Sequence, residues 1–199
     1  MFFIPGVVLR IVALVVVSIA SATDLKSHKI PNILTFPSAG IGIILQAIYF
    51  ASWSTFHDIP LAALAGACNA ILGWFTGVFV MAITKAFMSK FGHGDTKLMG
   101  AIGALLGPGP VLMVYFYYSL CFGFYSLFRM ATCLPWQQLF FAFELKKAGA
   151  SPAGAVNMEK LNAIRKEIIP VGPFIALGTL CTFLFEKQTL LFFGFGEGP

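Results

Sequence analysis

Charge is scarce in this 199-residue sequence: Asp, Glu, Lys and Arg together make up 11% of it, against 58% hydrophobic residues. A chain so composed cannot cover itself in water, which excludes an ordinary soluble domain. At roughly 20 apolar residues per bilayer crossing, about six crossings with short loops use up nearly the whole length, which leaves no room for a separate soluble domain. Cysteine is scarce too. Cys68, Cys121 and Cys181 lie inside apolar runs and Cys133 stands alone near a loop. No pair has the spacing of a metal knuckle or a redox motif, so the cysteines read as small packing residues. Internal repeats and low-complexity tracts are absent.

What is present is a series of apolar segments, at 4–22, 33–51, 61–84, 98–107, 110–128 and 169–185. They predict an all-α membrane protein of about six transmembrane helices, a single polytopic domain over 1–199. The fourth segment is short for a span, so it is extended by its neighbours, tilted, or buried among the other helices. The net charge of +5 would suggest nucleic acid in a soluble protein. Here the basic residues fall between apolar runs, where they orient the spans instead, and no nucleic-acid partner is expected.

With the N-terminus outside, the cytoplasmic loops are 23–32, 85–97 and 129–168. They hold Lys26, Lys29, Lys85, Lys90, Lys97, Arg129, Lys146, Lys147, Lys160, Arg165 and Lys166, leaving only Arg10 and Lys187 elsewhere. That asymmetry is the positive-inside pattern. Arg10, the run 11–19 and Ala20-Ser21-Ala22 imitate a secretory signal with its cleavage site. Yet Met1–Leu9 is itself apolar, and cleavage would place Lys26 and Lys29 outside, against the charge bias. The one long polar connection, 129–168, joins Phe140, Phe141 and Phe143 to Lys146 and Lys147 and then to a small-residue turn. It reads as an interfacial helix followed by a linker, with a substrate-binding role as the alternative.

Only three aspartates occur: Asp24, Asp58 and Asp95. On this topology Asp24 follows the first span and Asp95 precedes the fourth, so both face the cytoplasm, while Asp58 lies in the opposite loop. A carboxylate at the edge of an apolar bundle is costly unless paired or solvated, and is a functional candidate for that reason. Two such groups brought together share one proton. The ionised member then takes a proton from a water attacking a peptide carbonyl, which the protonated member polarises. The competing reading is that each aspartate caps a helix or marks a membrane boundary.

Asp95 stands in Gly92-His93-Gly94-Asp95-Thr96-Lys97-Leu98, where the glycines permit close backbone approach. Asp24 stands in Asp24-Leu25-Lys26-Ser27-His28-Lys29-Ile30-Pro31-Asn32, where the proline biases its predecessor toward extended structure. Both aspartates are expected beside shaped turns. His28 and His93 lie near them, but two histidines with no third ligand at fitting spacing make a poor metal site, and they read as polar loop residues. Lys97 either helps to keep a carboxylate ionised or anchors the span end at the interface.

Gly92-x-Gly94-Asp95-x-Lys97-Leu98, with Asp24 followed after five residues by Ile30-Pro31-Asn32, resembles the type IV prepilin peptidases. The stretch Ile169-Pro170-Val171-Gly172-Pro173-Phe174-Ile175-Ala176-Leu177-Gly178 is similar to that family's final span. The resemblance covers nearly the entire chain. It implies an aspartic endopeptidase in the bacterial inner membrane that removes the basic leader of prepilins or pseudopilins after a glycine at the cytoplasmic face. Asp24 and Asp95 inherit the catalytic roles, and Gly92, Gly94, Lys97, Pro31 and Asn32 belong to the supporting motifs. No metal or other cofactor is implied. Larger members carry an N-terminal domain with paired CxxC motifs and methylate the new N-terminus. Lacking that length and those pairs, this sequence looks more like the short, peptidase-only members of tight-adherence pilus systems.

Two other functions fit parts of the pattern. A presenilin-type intramembrane protease shares Gly-x-Gly-Asp, but pairs it with a Tyr-Asp motif inside another span, whereas Thr23 precedes Asp24. A small transporter would need charges at mid-membrane depth, and these segments hold almost none. Acidic residues at Glu144, Glu159 and Glu167 complement a basic leader by charge.

Overall fold

The structure, a computed structural model, describes residues 6–53, 58–87, 92–133, 170–186 and 188. Among them are six helices and no strand: α1 (Val7–Ser27), α2 (Asn32–Trp53), α3 (Ile59–Phe87), α4 (His93–Leu106), α5 (Pro108–Cys133) and α6 (Gly172–Leu184). The chain divides into two compact units, one running to Phe122 and resuming at Pro170, the other beginning at Gly123. The described part of the second is the end of α5. The predicted interfacial helix after Cys133 and its residues Glu144, Glu159 and Glu167 lie outside the described residues.

Four helices, α1, α2, α3 and α5, are long and apolar enough to cross a membrane. Their outward faces are as oily as their inner ones: Val8, Ile11, Val15 and Ile19 of α1, Ile44 and Ile48 of α2, and Phe75 and Phe79 of α3 are exposed. Helices apolar all round suit a hydrocarbon solvent, not water. This is an all-α membrane protein.

The short fourth segment is resolved by burial. From Leu98 to Leu106 every residue of α4 is buried, packed against α1, α2 and α3. Small residues make this possible. At Gly73 of α3 and Gly103 of α4, a side-chain carbon on either would collide with the carbonyl oxygen of the other. Gly77 stands likewise against the Met99 carbonyl, and Gly42 of α2 against the backbone of Ala104. Without lipid-excluding force between oily helices, close backbone packing of this kind is what holds them together. At its far end α4 leaves carbonyls without intrahelical partners. Buried Gln46 supplies them, its Nε2 donating to Leu105 O at 3.1 Å and to Ala104 O at 3.4 Å, while Asn69 Nδ2 donates to Gln46 Oε1 at 2.6 Å.

Helices α1 and α6 lie antiparallel. Arg10 near the start of α1 pairs with Glu186 just past the end of α6 at 3.0 Å, and the other end of α1 meets the first residue of α6. At that end Lys85, late in α3, also meets His93, the first residue of α4. The end of α1, the start of α2, the end of α3 and the starts of α4 and α6 therefore gather at one end of the bundle.

Gly103→Ala should lower the thermal unfolding temperature in detergent, by the equivalent of about 1–3 kcal/mol, because the backbone of α3 must move away. Gly40→Ala, where the added carbon meets nothing within 4 Å, should leave it unchanged or slightly raised. Equal unfolding temperatures for the two variants would contradict the close α3–α4 contact.

Candidate active site

Asp24 does not follow the first helix, as expected from the end of the apolar run, but lies inside it. Helix α1 continues three residues further, to Ser27, and closes on His28, whose left-handed backbone (φ 51°) lets its N–H reach Asp24 O at 2.9 Å. The continuation is polar enough to look like loop, yet its backbone keeps the helical pattern. Asp24 is 6% exposed. Its Oδ2 accepts the N–H of Gly172 at 2.8 Å, across 148 residues of sequence. Gly172 opens α6, and a backbone donor at a helix N-terminus is a natural partner for a carboxylate. Glycine suits this position: a side-chain carbon there would stand 3.0 Å from Asp24 Cβ and 3.3 Å from Ser21 Cα, so its neighbours would have to give by a few tenths of an ångström. The sequence reading included Gly172 in a resembling stretch but assigned it no role. The signal was its place just before Pro173, since proline suits a helix's first turn.

Asp95 is the third residue of α4 and equally buried, at 6% exposure. Its Oδ2 accepts the N–H of Gly92, the extended residue before the helix, at 3.2 Å. The expected helix-capping contact is therefore real, and it accounts for one oxygen of the carboxyl. The expected turn is shorter than Gly92-x-Gly94 suggested. Gly94 is already helical, and what it provides is room: a side-chain carbon there would meet Ile30 Cβ at 3.1 Å. Ile30 is buried in the α1–α2 connection, so the two motif stretches touch directly.

Two residues on, Lys97 Nζ donates to Asn32 Oδ1 at 2.9 Å and lies 5.3 Å from the centre of the Phe36 ring. Both contacts are to α2 rather than to either aspartate, so Lys97 ties the start of α4 to the start of α2. Asn32 thus meets the start of α4 through Lys97, while Pro31 lies between it and Ile30 in the chain. Asp58 is exposed at the head of α3, the end remote from His93. The exposed His28 and His93 stay at the rim, His93 with its ring nitrogens 3.0 and 3.2 Å from Lys85 Nζ. No three His, Cys, Asp or Glu side chains that could hold a metal come together among the described residues.

Asp95 begins the polar end of α4, outside the four candidate spans. Burial, and next the charge of nearby Asp24, push its carboxyl up from 3.8 to about 6, outweighing the Gly92 N–H that acts the other way. Each aspartate thus has one carboxyl oxygen held by a glycine N–H and one without a hydrogen-bond partner among the described residues. Two buried carboxyls facing each other's field, at the end of the bundle where the lysines gather, can divide one proton between them.

The sequence model of the type IV leader peptidase family matches residues 11–127, which includes both aspartates and the whole of α2, α3 and α4. The chain is 24% identical over 174 residues to proteins named prepilin leader peptidase/N-methyltransferase in two strains of Burkholderia pseudomallei, 1026b and K96243. Each alignment covers 87% of this chain and 45% of the relative, so the chain spans less than half the length of those relatives. No solved structure matches it significantly. With the match covering more than half of its length, including the two stretches that meet at Ile30 and Gly94, the chain belongs to the type IV leader peptidase family.

Proposed function

We propose that this protein is an aspartic endopeptidase of the bacterial inner membrane that removes the basic leader of prepilins or pseudopilins at the cytoplasmic face. The observation that carries the reading is the pair of buried carboxyls, Asp24 and Asp95, brought from distant parts of the chain to one end of the bundle. Burying two acids in an oily fold is costly, and a fold keeps such an arrangement where it does chemistry. The family and the relatives' names supply the substrate class. The reading is confined to peptide hydrolysis.

Asp95, raised to about 6, holds the shared proton and donates it toward the scissile carbonyl oxygen. Asp24 takes a proton from the water as its oxygen bonds to the carbonyl carbon. In collapse, the C–N bond breaks, the departing nitrogen receives the proton from Asp24, and Asp95 recovers its own from the new hydroxyl. One glycine N–H holds one oxygen of each carboxyl, leaving the other oxygen to face the water and the scissile carbonyl.

Four outcomes are expected. Asp24→Asn and Asp95→Asn should each lower leader cleavage by about a thousandfold or more, the double variant costing little beyond either because the two act in one step, while Asp58→Asn cleaves normally. Cleavage of a model prepilin in detergent measures this, and an active Asp24→Asn or an inactive, membrane-inserted Asp58→Asn would overturn the pairing.

Activity should also fall as pH rises above about 6, where Asp95 loses the proton it donates, giving an alkaline limb higher than that of ordinary carboxyl pairs.

Stability should follow the same ionisation. Because the folded-state value is raised, the native protein keeps a proton that the unfolded chain has shed, so stability is full below the ordinary carboxyl range and declines as pH rises toward about 6. Asp95→Asn, which cannot ionise, should therefore be more stable than the native protein above that pH, by up to about 3 kcal/mol. The advantage should vanish near about pH 4. An advantage independent of pH would show that Asp95 titrates elsewhere.

Finally, a cysteine at Ser27 should escape a membrane-impermeant thiol probe applied from the periplasm. Labelling there would place the site on the wrong side for a newly made prepilin.

A further inference from the structure

Tyr118 of α5 is 1% exposed, and its hydroxyl is the one buried side-chain oxygen or nitrogen without a hydrogen-bond partner among the described residues. Its ring neighbour Tyr115 is differently placed, with its hydroxyl 2.7 Å from Thr84 Oγ1. Buried hydroxyls almost always find a partner, and one that does not calls for a water or an incoming group.

The surroundings of Tyr118 lead to the aspartates. Its ring stacks on Phe122 at 5.9 Å between centroids, Phe122 meets Phe174 edge-on at 5.5 Å, and Phe174 lies two residues past the glycine that holds Asp24. Gly178 packs directly on the Tyr118 backbone, where a side-chain carbon would stand 2.8 Å from Tyr118 N. Tyr118 is also within electrostatic reach of Asp95. The titratable groups about the hydroxyl are Asp95 of α4 and Tyr115 of its own helix, while α6 presents Gly178 to Tyr118 and Phe174 to the ring beside it.

We propose that Tyr118 is a positioning residue whose hydroxyl, through one water, holds the uncommitted carboxyl oxygen of Asp95 in the orientation required for proton donation to the substrate. This deepens the peptidase reading and rests on it. Asp95 is anchored by a single N–H at one oxygen, which leaves its carboxyl free to rotate about that contact. A second, water-bridged contact removes that freedom. The bridge donates toward the carboxyl and so favours its charged form.

Tyr118→Phe, which removes only the oxygen, tests this. With a model prepilin, kcat should fall about tenfold with KM little changed. The alkaline limb should move up by about half a pH unit or more, and the pH at which thermal stability declines should move with it. Tyr115→Phe should move neither pH value. Native kcat with unmoved pH values would overturn the proposal, and so would a lowered kcat with unmoved pH values, which would mark a packing role. If instead Asp24→Asn and Asp95→Asn still cleave, the peptidase assignment fails. The pH of the stability decline would then still decide whether Tyr118 and Asp95 are linked.

Discussion

The structure turns on the burial of two carboxyls within each other's field at the end of an oily bundle. Asp24 and Asp95 are each 6% exposed, where bulk solvation is largely lost and mutual repulsion adds to the cost. The fold meets this cost with helix N-termini. An α-helix begins with N–H groups that have no partner of their own, and each aspartate accepts one: Asp95 from Gly92 ahead of α4, Asp24 from Gly172 at the head of α6. One hydrogen bond satisfies a helix end and a buried acid together. In both cases the donor is a glycine.

That arrangement makes the placement of α4 decisive. Its first turn is fixed by Gly94 against Ile30 and by Lys97 on Asn32, its middle by the backbone contact of Gly103 with Gly73, and its last carbonyls by Gln46. A 14-residue helix held at start, middle and end has little freedom to slide. Asp95 is thereby carried at a set depth against α1. Precision of this sort is what the proposed catalytic pair would require, since a displacement of about 1 Å is costly in rate.

The departures from expectation share one cause. Apolar periodicity locates the part of a helix that is buried or lipid-facing, not where its backbone stops. Hence α1 outruns its apolar run, and Asp24 is inside the helix instead of after it. Gly92-x-Gly94 looks like a turn by composition, but the second glycine is needed for clearance within the helix. Lys97 sits two residues from Asp95 in sequence, yet on a helix such neighbours do not face each other, and it reaches Asn32 instead. Tyr118 carried no motif at all, because an aromatic residue in an apolar run is indistinguishable from core until its hydroxyl is seen to be alone.

By itself the sequence determined the class of solvent and narrowed the candidate acids to a pair. Hydrophobic runs and the clustering of lysines are properties of composition along the chain, and with three aspartates the choice of a pair was small. Only the tertiary structure decided which apolar segment would be interior, that Gly172 would reach Asp24 across 148 residues, and that burial would lift Asp95 to about 6. Those depend on which backbones can approach within van der Waals contact and on how much water each carboxyl loses. Both are set by the packing of all the helices together, and no local stretch of sequence contains them.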